Sequence, residues 1–202
     1  MYNIAVFAST NGTDLEAIYS QIKAGILKNV KIALVCANKD CPAAQKAKSW
    51  GLHTIILPSK GVDRLAYDKK LHALLEPLKI DLVVLVGYMR IFSPWFVKEY
   101  AHKIINIHPS LLPSFPGMDL DVHKEVLDYG CKVTGCTVHF VDEGTDTGPI
   151  IAQEVVSVAF DDTPESLKAK VHAKEKELYP RVIEWFSKGN VHLQARKVNI
   201  LS

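Results

Sequence analysis

Three short stretches carry side chains whose types and spacing suit chemistry. In NIHPSLLPSFPG, Asn106 to Gly117, an amide and an imidazole stand two residues apart at the end of an apolar run. Residues i and i+2 of a strand project to the same side, so Asn106 and His108 present a hydrogen-bond donor and a titratable ring to one cleft. In HFVDEGTDTGPI, His139 to Ile150, acidic residues and glycines form a turn between two apolar runs. A solvated hairpin turn accounts for Asp142 and Glu143, whereas Asp146 sits against the resuming apolar run. A carboxylate there, within reach of His108, favours imidazolium and orients the ring. In STNGTD, Ser9 to Asp14, Gly12 lies where a strand gives way to a helix. Unpaired N–H groups at such a junction suit phosphate. The stretch is neither GxGxxG nor GxxxxGK[ST], and a turn capped by Thr13 or Asp14 is the plainer alternative.

The elements that must position these groups follow from periodicity. Ile4 to Ala8 reads as a strand and Asp14 to Ala24 as a helix with Leu15, Ile18 and Ile22 on one face. Lys31 to Ala37 is a second strand, Pro42 to Trp50 a helix stopped by Gly51, and Thr54 to Leu57 a short strand. A helix capped by Asp63 runs to Leu78, and the apolar run from Asp81 to Val86 is a central parallel strand. Ser93 and Pro94 open a short helix to Tyr100, before a strand from Lys103 to His108. This alternation predicts an α/β fold with a doubly wound, mostly parallel sheet. Ligands then collect at the carboxyl ends of the strands. Beyond His108 the pattern changes. Pro109 to Gly117 reads as a loop, Val122 to Tyr129 as a short helix, and Lys132 to Val141 with Pro149 to Val158 as an antiparallel pair. A long C-terminal helix opens at Thr163 and runs to about Lys188, with Pro180 expected to kink or divide it. The tail from Asn190 to Ser202 is expected to add an edge strand.

Composition narrows the function classes. The 202 residues are 48% apolar, 23% charged and 8% aromatic, as expected of a globular chain of one domain. Lys plus Arg number 24 against 22 Asp plus Glu, and a net charge of +2 predicts no nucleic-acid partner. No apolar run reaches the roughly 18 residues of a membrane span, and the N-terminus has no signal-peptide pattern. Cys36, Cys41, Cys131 and Cys136 are spaced too loosely for a zinc site and read as free thiols, and no histidine spacing suggests a metal. A soluble cytoplasmic protein is expected.

With these motifs in place, the chain resembles the folate-dependent phosphoribosylglycinamide formyltransferases of purine synthesis. The likeness runs from STNGTDL through GYMRI, NIHPSLLPSFPG and VTGCTVHFVDEGTDTGPI to ELYP. It implies a Rossmann-like formyltransferase fold over residues 1–202. It also implies transfer of the formyl group of 10-formyltetrahydrofolate to the amine of glycinamide ribonucleotide, without metal or covalent enzyme intermediate, by a monomer or homodimer. Asn106, His108 and Asp146 are the implied catalytic trio: Asn106 and a protonated His108 stabilise the tetrahedral oxyanion, and Asp146 keeps the ring charged. The implied folate residues are Arg64, Met89, Arg90, Ile91, Phe92 and Asn106, with Asp142, Glu143, Gly144, Thr145 and Asp146 of the turn. Gly12, Thr13 and Asp14 are implied for the substrate phosphate, Glu175 for the ribose hydroxyls, and His172 stands where the family often has glutamine. Two positions depart from the family's usual first turn, S-G-x-G-[ST]-N: Thr10 replaces its first glycine and Asp14 its asparagine. The alternatives are a formyltetrahydrofolate hydrolase, whose known members carry an added N-terminal domain, and a noncatalytic nucleotide- or folate-binding module on the same fold.

Overall fold

Side chains along β1 (Tyr2–Ala8) alternate between two cores: Ile4, Val6 and Ala8 enter one, Ala5 and Phe7 the other. The central strands are therefore apolar on both faces, and helices must cover both. The computed structural model describes residues 1–117 and 121–201. In chain order, β1 is followed by α1 (Thr13–Lys23), β2 (Val30–Ala37), α2 (Pro42–Ser49), β3 (Thr54–Ile56) and α3 (Arg64–Leu75), which runs into a 3₁₀ turn, Glu76–Leu78. Then come β4 (Leu82–Val86), α4 (Pro94–Glu99), β5 (Ile104–His108), α5 (Val122–Tyr129), β6 (Val133–Phe140), β7 (Ile150–Ser157), α6 (Pro164–Ser187), β8 (Val191–Gln194) and β9 (Lys197–Ile200).

Seven strands form one sheet in the order β3-β2-β1-β4-β5-β6-β7. Its first five are parallel, and β6 and β7 join antiparallel. Apolar faces of α1, α2, α5 and α6 pack on one side, and those of α3 and α4 on the other. Strand order reverses between β1 and β4, which opens a crevice at their carboxyl ends. Ser9 ties the loops around that crevice: its hydroxyl donates to Asn38 Oδ1 at 2.7 Å and accepts from the Met89 N–H at 3.0 Å. Gly87 adjoins it with φ 54°, and a Cβ there would lie 2.4 Å from Thr10 Oγ1, so the close approach of the two loops requires glycine.

Three expectations are corrected. Neither Thr13 nor Asp14 caps α1; Gly12 does, at φ 72° and with no side-chain bond, so Asp14 is free to turn inward and is buried. Pro180 does not divide α6, which stays helical throughout. Proline removes one rung of the helix, but Leu178, Tyr179, Val182 and Ile183 bury the turns on either side of it. The Tyr179 hydroxyl also bridges the carbonyls of Leu85 and Ile105 at 2.8 and 3.1 Å, fastening α6 to β4 and β5. The tail adds no strand to the main sheet. Up to residue 201 it folds back as the β8–β9 hairpin, pairing its own backbone and laying Val191, Leu193, Val198 and Ile200 on the core; Ser202 lies outside the described residues. The four cysteines are free, and three of them are buried.

Candidate active site

Asn106 and His108 end β5, where the antiparallel register sets Asn106 opposite His139 of β6. The turn after β6 returns Asp146, at φ 54°, to the same point. Asp146 Oδ2 accepts the Gly117 N–H at 2.9 Å and lies 3.3 Å from His108 Nδ1. Its Oδ1 lies 3.5 Å from His139 Nε2, which in turn is 3.3 Å from Asn106 Nδ2. His139 Nδ1–H donates to the Phe140 carbonyl at 2.8 Å, which fixes the ring. The expected trio is thus brought together, with His139 as a fourth member. His139 has no signal of its own in the sequence, because only the β5–β6 register sets it across from Asn106.

His108 Nε2–H donates to the Phe115 carbonyl at 2.8 Å, so both ring nitrogens face oxygen. Such surroundings suit an imidazolium, but burial acts the other way and prevails. It draws the His108 pKa below the ordinary histidine value, and Asp146 and the Phe115 carbonyl restore it only in part. Burial and the carboxylate thus act on the ring in opposite directions. Burial also raises the Asp146 pKa, but the His139 contact, the Gly117 N–H and His108 outweigh it and leave the carboxyl below its ordinary value.

A cavity of about 250 Å³ opens beside this cluster. Met89, Arg90, Ile91 and Phe92 form one wall, and Asp142, Gly144, Thr145 and Asp146 another. Met89 and Ile91 expose large apolar side chains there. The Arg90 guanidinium stacks 4.2 Å over the Tyr67 ring and donates to the carbonyls of Ser59 and Val62, so its charge is engaged by the preceding loop. Asp142 shapes its own turn, accepting from Thr147 Oγ1 at 2.6 Å and from the Gly144 N–H at 3.1 Å. Arg64, at the start of α3, and Glu143 are both exposed and do not line the cavity.

A second cavity, about 380 Å³, adjoins the first and shares Gly87, Ile107, Pro109 and Val122 with it. Thr10, Asn11, Thr13 and Asp14 line it from the first turn, His123 from α5, and Lys168, His172 and Glu175 from α6. Gly12 is not among the lining residues. It packs on α2, where a Cβ would lie 2.7 Å from that of Ala43. Burial lifts the Asp14 carboxyl to about 6, and burial with the Asp14 charge lifts Glu175 to about 8. Burial and the charges of His172 and Lys168 lower His123 to about 4. His123 and Lys168 were not anticipated, because nothing in their local spacing joins them to the first turn.

A doubly wound sheet that carries an Asn-x-His strand end, an acidic return turn and two adjoining cavities defines a class. Residues 2–183 match the formyl transferase family, and the chain belongs to it. The phosphoribosylglycinamide formyltransferase of Escherichia coli (strain K12) is 38% identical over 192 residues, covering 95% of this chain and 90% of the relative. Among solved structures, glycinamide ribonucleotide transformylase 1 from Symbiobacterium toebii is 37% identical with a TM-score of 0.94, covering 100% of this chain and 95% of that one. A formyltetrahydrofolate deformylase from Pseudomonas syringae pv. tomato is more distant, at 28% identity and a TM-score of 0.90, and this chain covers 66% of it. The family's formyl donor is 10-formyltetrahydrofolate, and the relatives matched over nearly their full length are the phosphoribosylglycinamide formyltransferases of purine biosynthesis.

Proposed function

We propose that this chain transfers the formyl group of 10-formyltetrahydrofolate to the amine of glycinamide ribonucleotide, acting in the cytoplasm as one formyltransferase domain, monomeric or dimeric. The observation that carries this reading is the meeting of two cavities at Ile107 and Pro109, between Asn106 and His108 on one side and the polar first turn on the other. The more apolar cavity suits a folate ring, and the polar one a ribonucleotide. Each reacting group then arrives at the boundary from its own side. No helix among the described residues is long and apolar enough to cross a membrane.

In this mechanism the amine nitrogen attacks the formyl carbon and the carbonyl electron pair moves onto oxygen. Asn106 Nδ2 and His108 Nε2–H donate to that oxyanion, which displaces the Phe115 carbonyl as the acceptor for the ring. Donors fixed where charge develops contribute most of such a rate enhancement. A neutral His108 already has one N–H to give. As negative charge builds at the oxyanion the proton affinity of the ring rises, and the proton released by the amine passes through water to Nδ1, the nitrogen that faces Asp146. Collapse of the intermediate breaks the bond from carbon to folate N10, and the proton passes to that nitrogen.

The test mixes the protein with 10-formyltetrahydrofolate and follows folate absorbance with and without glycinamide ribonucleotide. Turnover that depends on the ribonucleotide is expected. Equal turnover without it would make the chain a hydrolase, and binding without turnover a noncatalytic module.

A further inference from the structure

One wall of the first cavity is the loop that leaves β4 and enters α4. Among the described residues, the N–H groups of residues 88–93 make two hydrogen bonds, one toward each end. Met89 N–H meets Ser9 Oγ at 3.0 Å, and Ser93 N–H meets Asp68 Oδ2 at 2.5 Å. Beneath the loop the rings of Tyr88 and Phe92 stack in the core, with centroids 5.5 Å apart. Apolar packing of this kind is not directional and leaves the backbone orientation to the hydrogen bonds. The stretch that offers Met89 and Ile91 to the cavity is therefore set between Ser9 and Asp68.

Asp68 is an unusual residue for its place. It lies in α3 with no exposed surface, among the apolar side chains of the second core, where an ionisable group is costly. Burial pushes its carboxyl up, against the Ser93 bond and the charges of Arg90 and Arg64. It makes no bond within its own helix, and Oδ1 is buried without a partner, as is Arg90 Nε. Its one hydrogen bond among the described residues leaves α3 for the wall. There it holds the residue that caps the next helix, since Ser93 Oγ accepts the Phe96 N–H at 3.3 Å. Asp68 does not line either cavity.

We propose that Asp68 is a positioning residue for the folate: by holding the Ser93 N–H it sets the backbone of residues 89–92 against the ring without touching either substrate. The proposal rests on the folate reading of the first cavity. Ile91 lies two residues from Ser93, so release of that N–H frees the wall close to the ligand. The second cavity takes no residue from 88–93, so the ribonucleotide should not feel the change.

The test is calorimetric titration of the full chain with tetrahydrofolate, the KM for each substrate, and amide hydrogen exchange of residues 88–93 by NMR. Asp68→Leu removes the acceptor at similar volume, and Asp68→Asn keeps an oxygen for the Ser93 N–H. Asp68→Leu is expected to weaken tetrahydrofolate binding about tenfold and to raise the 10-formyltetrahydrofolate KM by a similar factor, the low end for a hydrogen bond to a charged group. The ribonucleotide KM and kcat should change less than twofold, exchange across 88–93 should quicken, and Asp68→Asn should recover most of the loss. Leu75→Ala, two turns further along α3 in the same core, should lower Tm and leave both KM values alone. The proposal is overturned if Asp68→Leu changes folate affinity less than twofold or raises both KM values alike, or if Leu75→Ala reproduces its effect. In wild type the Ser93 N–H should exchange far more slowly than those of Arg90 and Ile91; equal rates overturn the proposal even if Asp68→Leu does not fold. If wild type binds no tetrahydrofolate, the folate reading fails, and exchange alone decides the hold on the wall: quicker in Asp68→Leu upholds it, unchanged overturns it.

Discussion

Asp146→Asn removes one charge and almost no volume from the cluster at the end of β5. In the resting chain burial draws His108 toward the neutral form, and the carboxylate offsets this only in part. Its effect comes when the ring takes up the amine proton. Asp146 Oδ2 is 3.3 Å from Nδ1, and the two side chains are only 9% and 5% exposed, so water screens the pair little. At that separation and an effective dielectric constant of about 20, the attraction is about 5 kcal/mol. Its loss in the transition state alone corresponds to a fall in kcat of about 10³- to 10⁴-fold. KM for either substrate should move little, because neither ground state contains the charged ring. The assay is steady-state formyl transfer followed by folate absorbance, with circular dichroism to verify the fold. A folded variant whose kcat stays within tenfold of wild type would refute the role given to Asp146.

Three further outcomes are expected. The His108 ring, titrated by NMR in the free protein, should show a pKa below the ordinary 6.5 and a lower one still in Asp146→Asn; a wild-type value above 7 would reverse the balance between burial and carboxylate. Glu175 holds its proton up to about pH 8 when folded but releases it near 4.5 when unfolded, so it subtracts stability as pH rises through that window. Glu175→Gln should therefore raise Tm more at pH 8 than at pH 4, and an equal rise at both would count against the buried, protonated acid. Tyr179→Phe should cost about 1–3 kcal/mol in urea unfolding, since it strips a buried donor from two strand carbonyls; an unchanged midpoint would mean that the tie carries no weight.

Much of this architecture is legible in residue order. The uninterrupted apolar run of β4, the serine–proline start of α4 and the alternation of β1 each admit one structural reading, and Asn106 with His108 declare a shared face through their spacing. What stays hidden depends on partners far away in the chain. Pro180 looks like a break until the burial on either side of it is seen. The tail reads as a strand, and its choice between joining the sheet and pairing with itself is made by tertiary packing. His139 resembles a core histidine until the β5–β6 register sets it against Asn106. The charge of His108 is the subtlest case. A nearby carboxylate could be anticipated from sequence, but the dehydration that outweighs it belongs to the folded cavity.

The fastening of α6 to the central strands has a consequence for synthesis on the ribosome. Asn106 and His108 leave the exit tunnel long before Glu175 and Tyr179, yet the wall that completes the second cavity arrives only with α6. A nascent chain that stops after β5 displays the strand face destined for Leu178, Val182 and Ile183 as a bare apolar surface. The reacting end of this molecule is therefore made before the helix that completes its second cavity. A translational pause placed before residue 164 would hold that apolar surface uncovered, which favours aggregation.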